Sequence, residues 1–167
     1  HEYWEFVQFL SFIVTNGRAV IYPVFKGTFE RIASFGRTDS HQYAESRIQQ
    51  VKDLMRSIDF LETRSDIDIQ KLAYLGYSWG AWTAPIIHAV EGRFKASIVL
   101  NGGLRNRGLP EANPINFITR AKTPILMLNG KYDMAFPYET SVKPMYDLIG
   151  TPAEHKELKL YETDHFV

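Results

Sequence analysis

The sequence predicts an α/β domain, a mostly parallel β-sheet with helices on both faces in three layers. Three observations predict it. Short apolar runs alternate with longer stretches of helical periodicity along the whole chain. Most of the runs are apolar throughout rather than alternating, which is the pattern of parallel strands covered on both faces. The length of 167 residues, with 45% hydrophobic and 23% charged residues, suits one core, so residues 1–167 read as a single domain.

The elements follow in order. Residues 3–15 carry Trp4, Phe6, Val7, Leu10, Ile13 and Val14 at helical spacing, and Asn16-Gly17 supplies the stop. AVIYPVF, residues 19–25, reads as a buried parallel strand that ends or bulges at Pro23, which has no N–H for a ladder. Residues 26–40, with Gly27, Gly36, Thr38, Asp39 and Ser40, read as a long loop of the kind that carries function. A helix over 41–62 presents Ile48, Val51, Leu54, Met55, Ile58 and Leu61 as one core-facing stripe. Strands are expected at 71–77, 95–101, 124–129 and 156–161, with helices at 79–90 and 138–149. The Gly/Asn/Pro-rich stretch 102–116 is irregular. Right-handed crossovers gather the C-terminal strand ends on one edge, where ligands bind in such sheets.

Composition removes several function classes. Lys+Arg and Asp+Glu both number 19 and form no polybasic run, so nucleic-acid binding has no electrostatic footing. The absence of Cys removes disulfides, thiolate catalysis and Cys-based zinc sites from this chain. No apolar run reaches the roughly 20 residues of a membrane span. There is no HExxH motif and no Walker or G-x-G-x-x-G pattern, so no metal, nucleotide or other cofactor is expected. The chain opens His-Glu-Tyr-Trp-Glu, without an initiator Met or a signal pattern. The compartment stays open, with a slight preference for the cytoplasm.

The chemistry concentrates at strand ends. Gly76-Tyr77-Ser78-Trp79-Gly80 is a G-x-S-x-G sequence between a strand and a helix. A sharp turn there holds the serine in a strained conformation and lifts its hydroxyl from the sheet edge. The small glycines let strand and helix approach, and the helix N-terminus favours negative charge beside the serine. A serine hydroxyl needs a base, and the base needs an orienting acid. Asp133 follows the strand 124–129 directly and is the expected acid, preferred over Glu139 in the next helical turn. His165 follows the last strand and is the expected base. His1, His41, His88 and His155 lie at the terminus, on helices or before a strand. Asp164 adjoins His165, and neighbouring loop residues generally point apart, so Asp133 is preferred over it.

GYSWGA, NGKYDMAFP and DHF together resemble the α/β-hydrolase superfamily, and most nearly its dienelactone-hydrolase, acetyl-xylan-esterase and prolyl-oligopeptidase branches. The resemblance runs from residue 19 to His165. It implies Ser78 as nucleophile, Asp133 as acid, His165 as base and the Trp79 backbone N–H as one oxyanion donor. It also implies a strand before the first helix, carrying the second oxyanion donor, and a helix after the catalytic His. The sequence has neither, so a fold lacking the N-terminal strands and truncated at both ends is expected. An open sheet edge beside the nucleophile favours association, which makes a homo-oligomer an expected partner state.

The triad implies ester cleavage through an acyl-enzyme. The competing readings are a prolyl-oligopeptidase-type peptidase and a non-catalytic member of the fold used for binding. The pocket is expected from loops 26–40 and 102–118, with Phe25, Tyr77, Trp79 and Phe136 as candidate lining, and suits a small or medium ester.

Overall fold

The computed structural model describes residues 10–166. Residues 3–9 of the expected first helix lie outside that range, and residues 10–15 are helical. Four strands follow: β1 (Ala73–Tyr77), β2 (Ala96–Leu100), β3 (Ile125–Gly130) and β4 (Lys156–Tyr161). They pair in the order β1-β2-β3-β4, and every pair is parallel. Besides the helical residues 10–15, three α-helices accompany them among the described residues: α1 (His41–Glu62), α2 (Trp79–Val90) and α3 (Lys143–Leu148).

The pleat sorts side chains between two faces. Gly76, Val99, Met127 and Leu158 stand in one register row across the sheet. Val99 and Met127 are fully buried in a cluster with Ala81, Trp82 and Ala84 of α2 and Met145 of α3. A second cluster joins Val51, Leu54 and Ile58 of α1 to Ile86 and Ile87 of α2 and to Phe94. Both clusters lie over the same face. The opposite face carries Leu75, Ile98, Leu100, Leu126 and Leu128, which are half-buried or, for Ile98, exposed and belong to neither cluster.

Residues 19–25 depart from expectation. They form no strand, and Val20, Ile21 and Tyr22 are exposed. An apolar run becomes a strand only where a neighbour offers ladder partners. Here side chains bond the backbone at the end of the run and just beyond it instead. Arg31 donates to the Val24 carbonyl (2.7 Å) and Gln50 to the Lys26 carbonyl (2.8 Å), while the Lys26 N–H donates to Asp53 (2.9 Å).

In α1, Ser40 caps the N-terminus by accepting from the Tyr43 N–H. The buried stripe is displaced toward that end and includes Ala44, Ser46, Arg47 and Gln50 beside Val51, Leu54 and Ile58. Ile48, Met55 and Leu61 are only half-buried. The expected helix 138–149 begins as a π-turn over Tyr138–Val142 before α3. The N–H groups of Ser141 and Val142 both converge on the Pro137 carbonyl, and Pro144 has no N–H with which to continue an ordinary ladder.

Candidate active site

The turn from β1 into α2 is strained at one residue. Ser78 has φ 49° and ψ −100°, left-handed backbone for a residue with a Cβ. It is held there from both sides. Its N–H donates to the Leu100 carbonyl at the end of β2 (2.8 Å), and its carbonyl accepts the first helical bond from Trp82 (2.9 Å). A Cβ on Gly76 would stand 2.9 Å from the Gly80 carbonyl carbon and 3.0 Å from the Ala81 nitrogen, so only glycine lets strand and helix close up there. Gly80 is less constrained, since a Cβ on it would meet only the Tyr74 hydroxyl at 3.4 Å.

Asp133 and His165 come from neighbouring strand ends that are joined through backbone. Lys131 N–H donates to the Tyr161 carbonyl (2.8 Å) and Tyr132 N–H to that of Thr163 (3.0 Å). The approach depends on Gly130, where a Cβ would fall 1.8 Å from the Asp164 carbonyl oxygen. Asp133 is buried, and its Oδ1 accepts from the N–H groups of Ala135 (2.7 Å) and Phe136 (3.0 Å). Its Oδ2 lies 2.7 Å from His165 Nδ1, and His165 Nε2 lies 2.8 Å from Ser78 Oγ. A carboxylate can only accept, so Nδ1 carries the hydrogen and donates to Asp133. That leaves Nε2 to accept from the Ser78 hydroxyl. The imidazole also lies along the Phe136 ring, with centroids 6.0 Å apart and planes 22° apart. The structure therefore brings Ser78, His165 and Asp133 into one hydrogen-bonded chain. Trp79 opens α2, so its N–H is one of the first helical amides, which have no partner within the helix.

A cavity of about 320 Å³ opens beside Ser78, lined by Tyr43, Trp79, Trp82, Arg105, Arg107, Ala135 and Phe136 as well. Arg47 lies behind this lining. It is 2% exposed, and its guanidinium stacks 4.2 Å from the Trp79 ring and 4.7 Å from that of Trp82. It donates to Thr83 Oγ1 (2.6 Å), which in turn donates to the Trp79 carbonyl (2.8 Å). Burial lowers the Arg47 pKa to about 10.

The family model described as "Dienelactone hydrolase family" matches residues 20–166. The chain belongs to the dienelactone hydrolase family. No curated protein matches it in sequence. Among solved structures, a cold-adapted esterase from an Arctic intertidal metagenomic library shares 16% identity at a TM-score of 0.60, over 85% of this chain and 59% of that one. The acylaminoacyl peptidase of Pyrococcus horikoshii shares 15% at a TM-score of 0.61, over 74% and 24%. A 2,6-dihydroxy-pseudo-oxynicotine hydrolase shares 20% at 0.59, over 69% and 40%. These likenesses establish the α/β-hydrolase fold. The chain spans only part of the length of each: 59%, 24% and 40%.

Within this family member, the expected pocket residues divide. Phe136 and Trp79 line the cavity, whereas Phe25 and Tyr77 do not. Phe25 packs against the α1–α2 cluster, with its ring 6.0 Å from that of Trp79. Tyr77 points to His165 instead. Its hydroxyl donates to the His165 carbonyl (3.0 Å), and burial, with Asp133 and Asp164 nearby, raises its pKa. Loop 26–40 contributes nothing to the lining, and the stretch after β2 contributes Arg105 and Arg107. Arg105 and Arg107 fall in the expected stretch 102–118 without being singled out there, and Tyr43, Trp82 and Ala135 escape sequence reasoning. Only Trp82, one helical turn beyond Ser78, carries a signal that could have found it. Of the rival residues, Glu139, Asp164 and His155 are exposed, His41 meets Glu111 at 3.6 Å, and His88 is buried against Ser97.

Proposed function

We propose that this chain is a serine hydrolase that cleaves a carboxylic ester of small or medium size through an acyl-enzyme on Ser78. The observation that carries the reading is the unbroken run from Asp133 through His165 to a Ser78 that borders an open cavity. His165 Nε2 takes the hydroxyl proton as Ser78 Oγ attacks the ester carbonyl, and Asp133 stabilises the imidazolium that forms. The Trp79 N–H donates to the developing oxyanion at the positive end of α2. The same imidazolium protonates the departing alcohol. His165 then deprotonates water for attack on the acyl-enzyme, which releases the acid. Residues of this chain supply every proton transfer. The family match and the cavity's modest volume support an ester over a peptide.

The test is a p-nitrophenyl ester series of rising acyl length beside the matching p-nitroanilides, with Ser78→Ala as control. Turnover of the short esters with a nitrophenolate burst, lost in Ser78→Ala, is expected. Turnover that survives Ser78→Ala contradicts the reading, and a preference for the anilides transfers it to a peptidase.

A further inference from the structure

Tyr77, Leu100 and Leu128 stand in register across β1, β2 and β3, so the next residues along the three strands are Ser78, Asn101 and Asn129. The ladder runs one step past β1 and β2. Ser78 N–H donates to the Leu100 carbonyl (2.8 Å), and Asn101 N–H donates to that of Leu128 (2.9 Å). Asn101 also shares the backbone strain of its neighbour, with φ 48° beside the 49° of Ser78. Asparagine enters this left-handed region more readily than most residues with a Cβ.

Both asparagines are fully buried, and their side chains bond backbone crosswise. Gly130 N–H donates to Asn101 Oδ1 (3.2 Å), and Asn129 Nδ2 donates to the Gly102 carbonyl (2.8 Å). Each side chain thus grips the residue that follows its neighbour. One polar atom of each amide has no hydrogen-bond partner among the described residues. These are Asn101 Nδ2, a donor, and Asn129 Oδ1, an acceptor. Burying such atoms is costly, and apolar side chains would fill the same space without the cost. Filling space is therefore not what these two amides are for.

The two residues they grip are Gly130 and Gly102. Gly130 carries the approach of the two loops, since a Cβ on it would fall 1.8 Å from the Asp164 carbonyl oxygen. Gly102 is pressed against α2, where a Cβ on it would lie 2.2 Å from that of Ala81. The amides thus tie the loops of Asp133 and His165 to the helix that starts at Ser78.

We propose that Asn101 and Asn129 are a positioning pair that fixes the Asp133–His165 unit against Ser78. The inference rests on the reading of Ser78 as nucleophile. Neither asparagine lines the cavity, so both act through the backbone of Gly130 and Gly102.

The test compares Asn101→Gly, Asn129→Ala and the double variant. Asn101→Gly accepts the left-handed backbone and removes only the amide. In each single variant kcat on a short ester is expected to fall about 10- to 100-fold, the cost of a displacement near 1 Å, with KM within about twofold. The pair acts as a unit, so the double variant loses no more than the worse single one. Amide hydrogen exchange followed by NMR reads Gly130 directly. Its N–H is expected to exchange slowly in the unsubstituted chain and faster in Asn101→Gly. Thermal melts separate a change in kcat from loss of fold. A lower melting temperature with kcat intact, a change in KM alone, losses that multiply in the double variant, or a fast-exchanging Gly130 in the unsubstituted chain overturns the proposal. The last of these needs no variant, so it decides even where a variant does not fold. Fluorophosphonate labelling of the unsubstituted chain reads Ser78 separately. A labelled protein whose labelling rate ignores both substitutions sinks this inference alone. An unlabelled protein in which Asn101→Gly still frees the Gly130 amide sinks the nucleophile reading alone.

Discussion

Among the described residues, two serine–histidine contacts have the same distance. His165 Nε2 lies 2.8 Å from Ser78 Oγ, and His88 Nε2 lies 2.8 Å from Ser97 Oγ. Their surroundings differ in every respect that matters for chemistry. His165 has a carboxylate on its other nitrogen, whereas the Nδ1 of His88 is buried with no partner. Ser78 sits on a strained turn beside a cavity; Ser97 lies buried within β2 under α2. The ring of His88 meets the edges or faces of Tyr74 and Phe94 at 5.2 and 5.5 Å, and burial lowers its pKa to about 4. The contact alone is therefore not a catalytic signature. An orienting acid, an accessible cavity and a turn that presents the hydroxyl separate the proposed nucleophile from a packing pair.

That contrast can be broken from either side. The largest effect is expected at the acid. Asp133→Asn leaves the geometry but disturbs the tautomer that orients Nε2, and kcat on a short ester should fall about 10⁴-fold. Steady-state kinetics beside a thermal melt will separate this from unfolding.

The buried pair should reveal itself through pH. Its folded pKa of about 4 lies below the roughly 6.5 of a free histidine. Between those values the unfolded chain takes up a proton that the native state refuses. The stabilisation is therefore complete above about pH 6.5 and is lost as pH falls toward 4, by up to about 3 kcal/mol. Melting temperatures at pH 7 and pH 5 should diverge more in the unsubstituted chain than in His88→Gln.

A smaller change is expected at the glycine that joins the two strand ends. Gly130→Ala must push the loop carrying His165 away from Asp133, since its Cβ would overlap the Asp164 carbonyl. Activity should drop about 10²-fold, the cost of a displacement near 1 Å. The smallest effect belongs to Ser97→Ala. It removes the partner of His88 and should cost about 1–2 kcal/mol by chemical denaturation.

The strands β1 to β3 are legible because each is an apolar run between turn residues, β4 because Leu158 and Leu160 alternate with charged residues, and the elbow because glycine spacing, strand and helix coincide at Ser78. That Asp133 and His165 share its edge follows from parallel topology alone. Residues 19–25 are misread because apolarity says nothing about whether a neighbour offers ladder bonds, and here Arg31 bonds the Val24 carbonyl while Gln50 and Asp53 take the backbone of the next residue, Lys26. Arg47 escapes a sequence reading for a related reason. A charged residue inside a helical stripe reads as solvated until the aromatic faces of Trp79 and Trp82, far away in sequence, are brought over it. Arg105 and Arg107 sit in an irregular stretch with no period to say which way a side chain turns.

The most direct test of the nucleophile is intact-mass analysis after treatment with a fluorophosphonate, run on the unsubstituted chain, Ser78→Ala and Ser97→Ala. One adduct on the unsubstituted chain and on Ser97→Ala, with none on Ser78→Ala, is the predicted result. An unlabelled parent chain, or an adduct that persists in Ser78→Ala, would contradict the account.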